Sequence, residues 1–408
     1  MKKIWQYPLL VLFAAFILGA SAYDMLKPTR EYSEFETLAQ RPEFTLASFL
    51  DSNYSNQYTK FLSDQIFLRD EWISLKGLGE QALAKIESNG IGFGKDGYLF
   101  EKLQLVEERG ESSGSNVALR SKLDKNVKVI QSFLEQCQQP VTFALAPNSY
   151  AVLTNKVPTG FHAVDQEKEI PAVYSQLSDD GLTTLDFLPA LREHQDEYIY
   201  YKTDHHWTTL GAYYAYEEYC RQKGLTPVAL DSLSGQEVGD FWGTYYSKTK
   251  ISGLEPDTIT WYDVPVEEFL FHADPKNNKL SQEGGSFTEE LGLPMYSAGT
   301  LYQQSKFDTR DKYAAFLWGN SGLSIVRSDH NLDHKEGETS RLLLIKDSYA
   351  NSMVPYLTYN YDEIYVVDLR AIPKNLSQLM AETEFSDIFI LYNFSTFCSD
   401  AYLPYLKY

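Results

Sequence analysis

The stretch from Leu342 to Tyr392 decides the fold class of this chain, and it reads LLLIKDSYANSMVPYLTYNYDEIYVVDLRAIPKNLSQLMAETEFSDIFILY. Short apolar runs alternate in it with segments of helical pattern: strands are predicted over 342–345, 363–368 and 388–392, and helices over 349–359 and 375–382. Strands and helices that alternate in this way form right-handed βαβ units, whose parallel sheet is covered by helices. We therefore predict an α/β fold built on a parallel sheet flanked by helices.

Segments nearer the N-terminus extend the same pattern. Further strands are predicted over 141–146, 183–186 and 198–201, and helices over 58–87 (a pair), 116–136 and 208–223. Residues 230–310 are rich in charged, Gly and Ser positions, so they are expected to form an insertion of loops or a small β-rich cover.

Charge and cysteine content exclude several classes of protein. The net charge is −20 and there is no basic stripe, which is a poor match to nucleic-acid binding because that requires Lys and Arg against phosphates. Cys137, Cys220 and Cys398 are widely spaced without a CxxC pair. They are predicted to be buried thiols rather than disulfides or zinc ligands.

The N-terminus has the pattern of an export signal. Met1–Lys3 is positively charged and precedes the apolar run Pro8–Gly19, an order that places the N-terminus inside the cell. Ala20–Ala22 resembles a signal-peptidase site, whereas Tyr7–Leu26 is almost long enough to span a bilayer. We expect an extracytoplasmic protein held by a retained membrane anchor, or secreted if cleavage follows Ala22.

Two polar segments carry groups suited to acyl-transfer chemistry. Asp204 and His206 lie on one turn between a predicted strand and a helix, where the carboxylate can hold the imidazole in one tautomer. Trp207 can shield that pair from water, and it is also a candidate substrate-binding residue. Ser348 follows an apolar strand and opens a helix, so its hydroxyl is expected at the carboxyl edge of the sheet. A surface turn and a helix N-cap would explain each segment alone. Together they supply all three groups of a Ser-His-Asp triad.

Asp204-His205-His206-Trp207 is similar to the signature of the DHHW protein family, and to the Asp-x-His-Trp segment of the alginate O-acetylation proteins AlgJ and AlgX. Those proteins belong with the SGNH hydrolases, in a permuted order in which Asp and His precede the serine. The resemblance continues through Phe61, Asp64–Asp70, Trp72, Asn89–Leu99, Leu344–Asn351 and Asp368–Arg370. It implies Ser348 as nucleophile, His206 as general base and acid, and Asp204 as the orienting carboxylate.

The chain departs from that pattern next to the serine, because Lys346-Asp347-Ser348 stands where such hydrolases usually carry Gly-Asp-Ser. Gly319 and Asn320 offer the backbone N–H and the amide that SGNH sites use for the oxyanion. Asn148 and Asn393, both at predicted strand ends, compete for that role, although a turn function is common for such residues. Arg370 is expected either to bind a substrate oxygen or to form a structural salt bridge.

We assign residues 1–26 to a signal peptide or membrane anchor, 27–115 to a stalk and helical lead-in, and 116–408 to an SGNH-like catalytic domain containing the insertion at 230–310. The expected activity is transfer of an acyl group, which the resemblance implies to be acetyl, onto a cell-surface polysaccharide through an acyl-serine, without a cofactor or metal. The resemblance also implies a membrane-bound O-acyltransferase as partner.

Three alternatives stay open. The same fold and triad would serve a carbohydrate esterase, and an idle site would leave a carbohydrate-binding or assembly protein. Asp-His-His also occurs in metal-dependent DHH phosphodiesterases, but their further Asp-rich motifs and glycine-rich motif ending in His are missing, with Gly284-Gly285 the nearest glycine pair.

Overall fold

The computed structural model describes residues 7–31, 33, 38–50, 53–108, 117–177, 181–277, 280 and 283–406. Within these ranges the contacts divide the chain into two compact units. The smaller unit comprises Met1–Lys85 together with Ser247–Gly253, and the larger comprises Ile86–Tyr246 and Leu254–Tyr408. The three sequence regions assigned above, with bounds at 26 and 115, stay a prediction.

In the described residues the α-helices are α1 (Pro8–Leu26), α2 (Leu46–Leu50), α3 (Asn53–Gln65), α4 (Arg69–Ala82), α5 (Arg120–Gln136), α6 (Ser149–Val152), α7 (Gln166–Tyr174), α8 (Leu188–Glu193), α9 (Thr209–Lys223), α10 (Thr244–Thr249), α11 (Val354–Leu357), α12 (Leu376–Glu382) and α13 (Phe394–Ser399). Short 3₁₀ turns occupy Lys95–Gly97, Leu230–Ser232, Gln304–Asp308, Lys312–Ala315, Ser348–Ser352 and Leu403–Leu406.

The strands of the same residues are β1 (Glu87–Ser88), β2 (Ile91–Phe93), β3 (Leu99–Glu101), β4 (Gln104–Val106), β5 (Val117–Leu119), β6 (Val141–Ala146), β7 (Leu182–Leu185), β8 (Gly235–Phe241), β9 (Asp257–Tyr262), β10 (Glu268–His272), β11 (Ser286–Glu290), β12 (Leu293–Ser297), β13 (Leu323–Arg327), β14 (Arg341–Lys346), β15 (Glu363–Val367) and β16 (Asp387–Asn393).

A large mixed sheet forms the centre of the larger unit, with strand order β11-β12-β10-β13-β15-β14-β16-β6-β7. The run from β15 through β14, β16 and β6 to β7 is parallel. The strands β13, β10, β12 and β11 pair in antiparallel fashion. The α/β class is therefore confirmed. The predicted parallel sheet corresponds to five of the nine strands, and the other four extend it in antiparallel fashion. Three strands from residues 230–310, namely β10, β11 and β12, pair into the main sheet.

Two predicted elements differ in the structure. Residues 198–201 form no strand; Tyr200 makes a single bridge to Trp207, and its buried hydroxyl donates to Pro147 O at 2.8 Å. The aromatic run is therefore buried core in an irregular segment. The helix predicted over 349–359 divides into a 3₁₀ turn and α11, because Pro355 in the first turn of α11 has no N–H to continue the earlier helical bonds.

The helix α1 is long and apolar enough to cross a membrane, and it is the one such helix among the described residues. None of its hydrophobic window is buried against the rest of the chain. A retained anchor and an N-terminal signal sequence both have these properties.

Candidate active site

The serine turn begins where the central parallel strand β14 ends. Asp347 caps this turn, because one carboxylate oxygen accepts from Tyr349 N at 2.9 Å and the other accepts from Asn393 N at 2.8 Å. The second bond ties the turn to the end of the neighbouring strand β16. Asp347 is buried, and this burial raises its pKa. Ser348 itself stays half-buried, so solvent and ligands can reach it.

The segment with Asp204 and His206 is fixed at both ends. On one side Thr208 caps α9 by accepting from Gly211 N at 3.2 Å. On the other side the buried carboxylate of Asp257 accepts from Lys202 N and Thr203 N, each at 2.8 Å. Two backbone N–H groups and a helix cap therefore hold the turn in one conformation.

The two segments bring three predicted residues together in a hydrogen-bonded line. His206 Nε2 lies 2.8 Å from Ser348 Oγ, and His206 Nδ1 lies 2.6 Å from Asp204 Oδ1. An ionised carboxylate only accepts, so Nδ1 carries the ring proton and Nε2 accepts from the serine hydroxyl. This arrangement of nucleophile, base and orienting group suits covalent acyl chemistry.

The carboxylate of Asp204 is itself held in place from its other side. Its Oδ2 accepts from Thr244 N at 2.8 Å. Gly243 lies directly against it, since a Cβ at that position would stand 2.2 Å from Asp204 Cβ. Position 243, where the backbone comes closest to Asp204, therefore has room only for glycine.

The electrostatics favour a charged carboxylate and a neutral base. Burial acts to raise the pKa of Asp204, but the adjacent His205 and His206 outweigh it and hold the pKa well below its usual range. Burial and the neighbouring His205 lower the pKa of His206 to about 4. At neutral pH the His206 ring is therefore uncharged and able to take a proton.

Sequence and fold comparisons show which known proteins this chain is similar to. The DHHW protein family model matches residues 146–367, more than half of the chain and including both site segments. The chain belongs to the DHHW family. A DHHW family protein from Eubacterium siraeum superposes with a TM-score of 0.60 at 20% identity, covering 79% of this chain and 96% of its own.

Bacillus cereus PatB1 with a sulfonyl adduct gives a TM-score of 0.58 at 15% identity, covering 77% of this DHHW chain and 97% of PatB1. The O-acetyltransferase domain of Pseudomonas putida AlgJ gives 0.43 at 10% identity, covering 78% and 98%. At such identities the likeness concerns the fold. None of the curated proteins matches this chain in sequence.

Sequence reasoning missed the aromatic residue that covers the base of this DHHW site. The ring of Tyr313 stacks on His206 with centroids 3.8 Å apart and planes 13° apart, and its hydroxyl donates to Ser348 O at 3.0 Å. It contacts both segments, yet it lies in a short 3₁₀ turn whose sequence carries no motif. Asp257 and Gly243 also belong to no motif, and they were missed for that reason.

Trp207, expected near the substrate, is fully buried. Its indole N–H donates to Tyr349 O at 2.9 Å and to Ser352 Oγ at 3.0 Å. These two hydrogen bonds link the serine turn to the DHHW segment. The indole N–H is therefore not available to a ligand.

The residues expected to bind an oxyanion differ in whether their hydrogen-bond donors are free for a ligand. The Gly319 N–H is already used, since it donates to Phe316 O at 3.1 Å. Asn148 and Asn393 are buried, and both amide groups bond within the protein. Asn320 is exposed and stands just before β13, whose first residue pairs with the last residue of β15. It is therefore at the same sheet edge as Ser348.

A buried cation lies beneath Asn320. Lys346 Nζ donates to Asn320 Oδ1 at 3.1 Å and to Asp368 Oδ2 at 3.4 Å, and Asn351 Nδ2 also donates to Asn320 Oδ1 at 3.2 Å. Burial lowers the pKa of Lys346. Arg370 forms a two-bond ion pair with Asp368, through Nε at 2.8 Å and a terminal nitrogen at 2.5 Å. The salt bridge expected of Arg370 is present.

Asp204, His205 and His206 also form a group whose possible metal-binding atoms lie within 4.8 Å of one another. These atoms already have partners: His206 bonds Asp204 and Ser348, and His205 Nδ1 lies 2.9 Å from Thr244 Oγ1. A metal held through His206 would therefore compete with the bonds of this ring to Asp204 and Ser348.

Proposed function

We propose that this DHHW protein is an extracytoplasmic serine O-acyltransferase that acetylates a cell-surface polysaccharide. The observation that carries the proposal is the line of hydrogen bonds from Ser348 through His206 to Asp204. The family resemblance, the SGNH-like order of the three residues and the AlgJ domain's described activity as an O-acetyltransferase support it.

In the first half-reaction Ser348 Oγ attacks the carbonyl carbon of an acyl ester. Its proton passes to His206 Nε2, and the charge of Asp204 stabilises the imidazolium that forms. The tetrahedral intermediate then collapses, the bond to the donor alcohol breaks, and Nε2 returns the proton to that alcohol. The acyl group is left as an ester of Ser348.

In the second half-reaction a sugar hydroxyl takes the place of the donor alcohol. His206 Nε2 removes its proton as the oxygen attacks the acyl-serine, and the same proton restores the hydroxyl of Ser348 when the new ester leaves. If water attacks instead, the product is a free acid and the enzyme is a carbohydrate esterase. The triad serves both outcomes.

The oxyanion of each intermediate is stabilised by Ser348 N–H, at the start of its 3₁₀ turn, and by Asn320. Because Asn320 Oδ1 accepts from Lys346 and Asn351, its NH₂ group is turned away from them and free to donate. One such donor typically lowers the barrier by about 3 kcal/mol. Arg370 adds positive charge at the same edge.

The helix α1 serves in this proposal as a retained anchor, with the catalytic residues outside the membrane. A membrane-bound O-acyltransferase that delivers the acyl group is the partner implied by the family resemblance. No cofactor enters the mechanism.

Intact-protein mass measurement after incubation with a chromogenic acetyl ester tests the proposal. The wild type is expected to gain the mass of one acetyl group, and Ser348→Ala is expected to gain none. Ser352→Ala is the matched control, because it removes a hydroxyl from the same turn while Trp207 keeps its bond to Tyr349 O. Acetylation of Ser348→Ala at the wild-type rate would refute the nucleophile.

Added oligosaccharide separates the remaining alternatives. Transferase activity predicts that the acetyl group moves to the sugar, whereas an esterase releases acetate with or without it. Acylation that persists in EDTA excludes the metal-dependent phosphoesterase, and no acylation at all indicates a binding or assembly protein.

A further inference from the structure

The helix α4 in the smaller unit has two unlike faces. On one face Gly77 approaches the segment Ser247–Gly253 so closely that a Cβ would stand 2.9 Å from Thr249 O. Asp70, on the same face, forms a salt bridge with the buried Lys250. This face is therefore packed against its own unit.

The opposite face is apolar and open. Leucine and tryptophan side chains at helical spacing along and beside α4 are between 44% and 73% exposed, namely Leu68, Trp72, Leu75, Leu78 and Leu83. We call these five residues the α4 apolar face. Contiguous exposed apolar residues on one side of a helix indicate a surface that is covered in the working protein.

The start of α4 lies against the end of α1. Phe67 N donates to Asp24 Oδ2 at 3.2 Å, and the Phe67 ring meets the ring of Tyr23 edge-on with centroids 5.1 Å apart. Lys27 forms an ion pair with Asp24 at 2.6 Å and donates to Gln65 O. These contacts are all within the smaller unit, and they join α4 to the polar end of the apolar helix.

We propose that the α4 apolar face lies in the interfacial layer of the membrane, on the side where α1 leaves it. This inference rests on the proposed role of α1 as a retained anchor. A helix that starts at the exit point of a membrane span is already at the height of the lipid headgroups. Interfacial helices bury their apolar face about 5–10 Å into the boundary of headgroups and acyl chains.

The chemistry of Trp72 fits a lipid occupant. Tryptophan is enriched at membrane interfaces, where its ring is buried and its N–H needs a partner. Trp72 Nε1 donates to Phe67 O at 3.0 Å, so the ring can enter the interface without leaving an unsatisfied donor. Lys76 is exposed at one edge of the face, and Glu71 is exposed in the first turn of α4. Both side chains are long enough to keep their charged ends in water.

Fluorescent labels on the full chain in phosphatidylcholine nanodiscs test the proposal. Leu75→Cys probes the apolar face and Lys76→Cys is the control one residue away, both in a Cys137→Ser background that leaves two buried cysteines. A nitroxide on the upper acyl chain is expected to quench the Leu75→Cys label severalfold more than the control. Iodide in the water is expected to give the reverse order.

Equal quenching at both positions by lipid nitroxide would overturn the proposal. Shielding of the Leu75→Cys label from both quenchers would also overturn it, because a protein partner or a second copy would then cover the face. So would an intact mass showing that α1 has been cleaved off. Acylation of Ser348, measured on the same labelled proteins, distinguishes these failures from failure of the proposed enzyme activity.

Discussion

Replacing Asp204 by asparagine tests the central feature of the site, because it changes one atom and keeps the shape. In the wild type, Asp204 Oδ1 accepts from the ring Nδ1 of His206 at 2.6 Å and from the backbone N of His206 at 3.1 Å. Oδ2 accepts from Thr244 N at 2.8 Å. Three donors thus converge on a group that has only acceptors.

An amide cannot satisfy all three donors. If the asparagine oxygen accepts from Thr244 N, the asparagine NH₂ group faces His206. The His206 ring must then accept at Nδ1, so its proton moves to Nε2. The proton on Nε2 then points at Ser348 Oγ, so the base is blocked. If the amide is reversed, its NH₂ opposes Thr244 N–H, an unmet buried donor that costs about 1–3 kcal/mol.

We therefore expect Asp204→Asn to fold with modest loss of stability and to lose about 10⁴ in kcat, or about 5 kcal/mol of barrier. The assay is hydrolysis of the chromogenic acetyl ester, with thermal unfolding measured in parallel. Asp240→Asn is the matched control for charge, since Asp240 is exposed and its positive φ of 55° suits asparagine. A folded Asp204→Asn protein with more than a tenth of wild-type kcat would refute this account.

Three further predictions concern the surroundings of the triad. Because burial keeps His206 neutral to lower pH, kcat/KM should fall only as pH approaches about 4, and a midpoint at the ordinary value of 6.5 would contradict the buried geometry. Gly243→Ala places a methyl group against Asp204, so we expect a loss of roughly 1–3 kcal/mol in unfolding free energy and at least a tenfold loss of kcat, measured by denaturant titration and ester hydrolysis. Lys346→Met should lower kcat about tenfold or more with little change in KM. In an Asn320→Ala background the same substitution should have no further effect on kcat, whereas an effect caused by a general loss of stability would persist in that background.

Local features of the site were predictable from sequence because neighbouring residues determine them. Asp204 and His206 are two positions apart, so a single turn brings their side chains together. Ser348 comes just after the apolar strand β14, which is parallel to both of its neighbours. A residue that follows a parallel strand lies at the carboxyl edge of the sheet, whichever position that strand has in the strand order.

Contacts that depend on tertiary packing were not predictable in this way. Tyr313 reaches His206 only because the loop before β13 passes over the site, and its own sequence surroundings carry no periodic pattern. Asp257 begins β9, and its role in holding Lys202 and Thr203 follows from how that strand packs. The strand predicted at 198–201 failed for a related reason. A run of aromatic residues satisfies the strand pattern whether it is paired in a sheet or buried in an irregular core.

The lysine that replaces the usual glycine before Ser348 has a physical explanation in the sheet. A buried ammonium group is unfavourable unless it is paired, and Lys346 is paired with Asp368. A glycine at position 346 would need no ion-pair partner. We therefore expect the lysine to contribute something that glycine cannot. The bond from Lys346 to Asn320 Oδ1 makes such a contribution: it fixes which end of the amide faces the site, and it places a positive charge behind the proposed oxyanion donor. Loss of that charge should therefore affect the transition state more strongly than substrate binding, because the negative charge on the acyl oxygen develops only during the reaction.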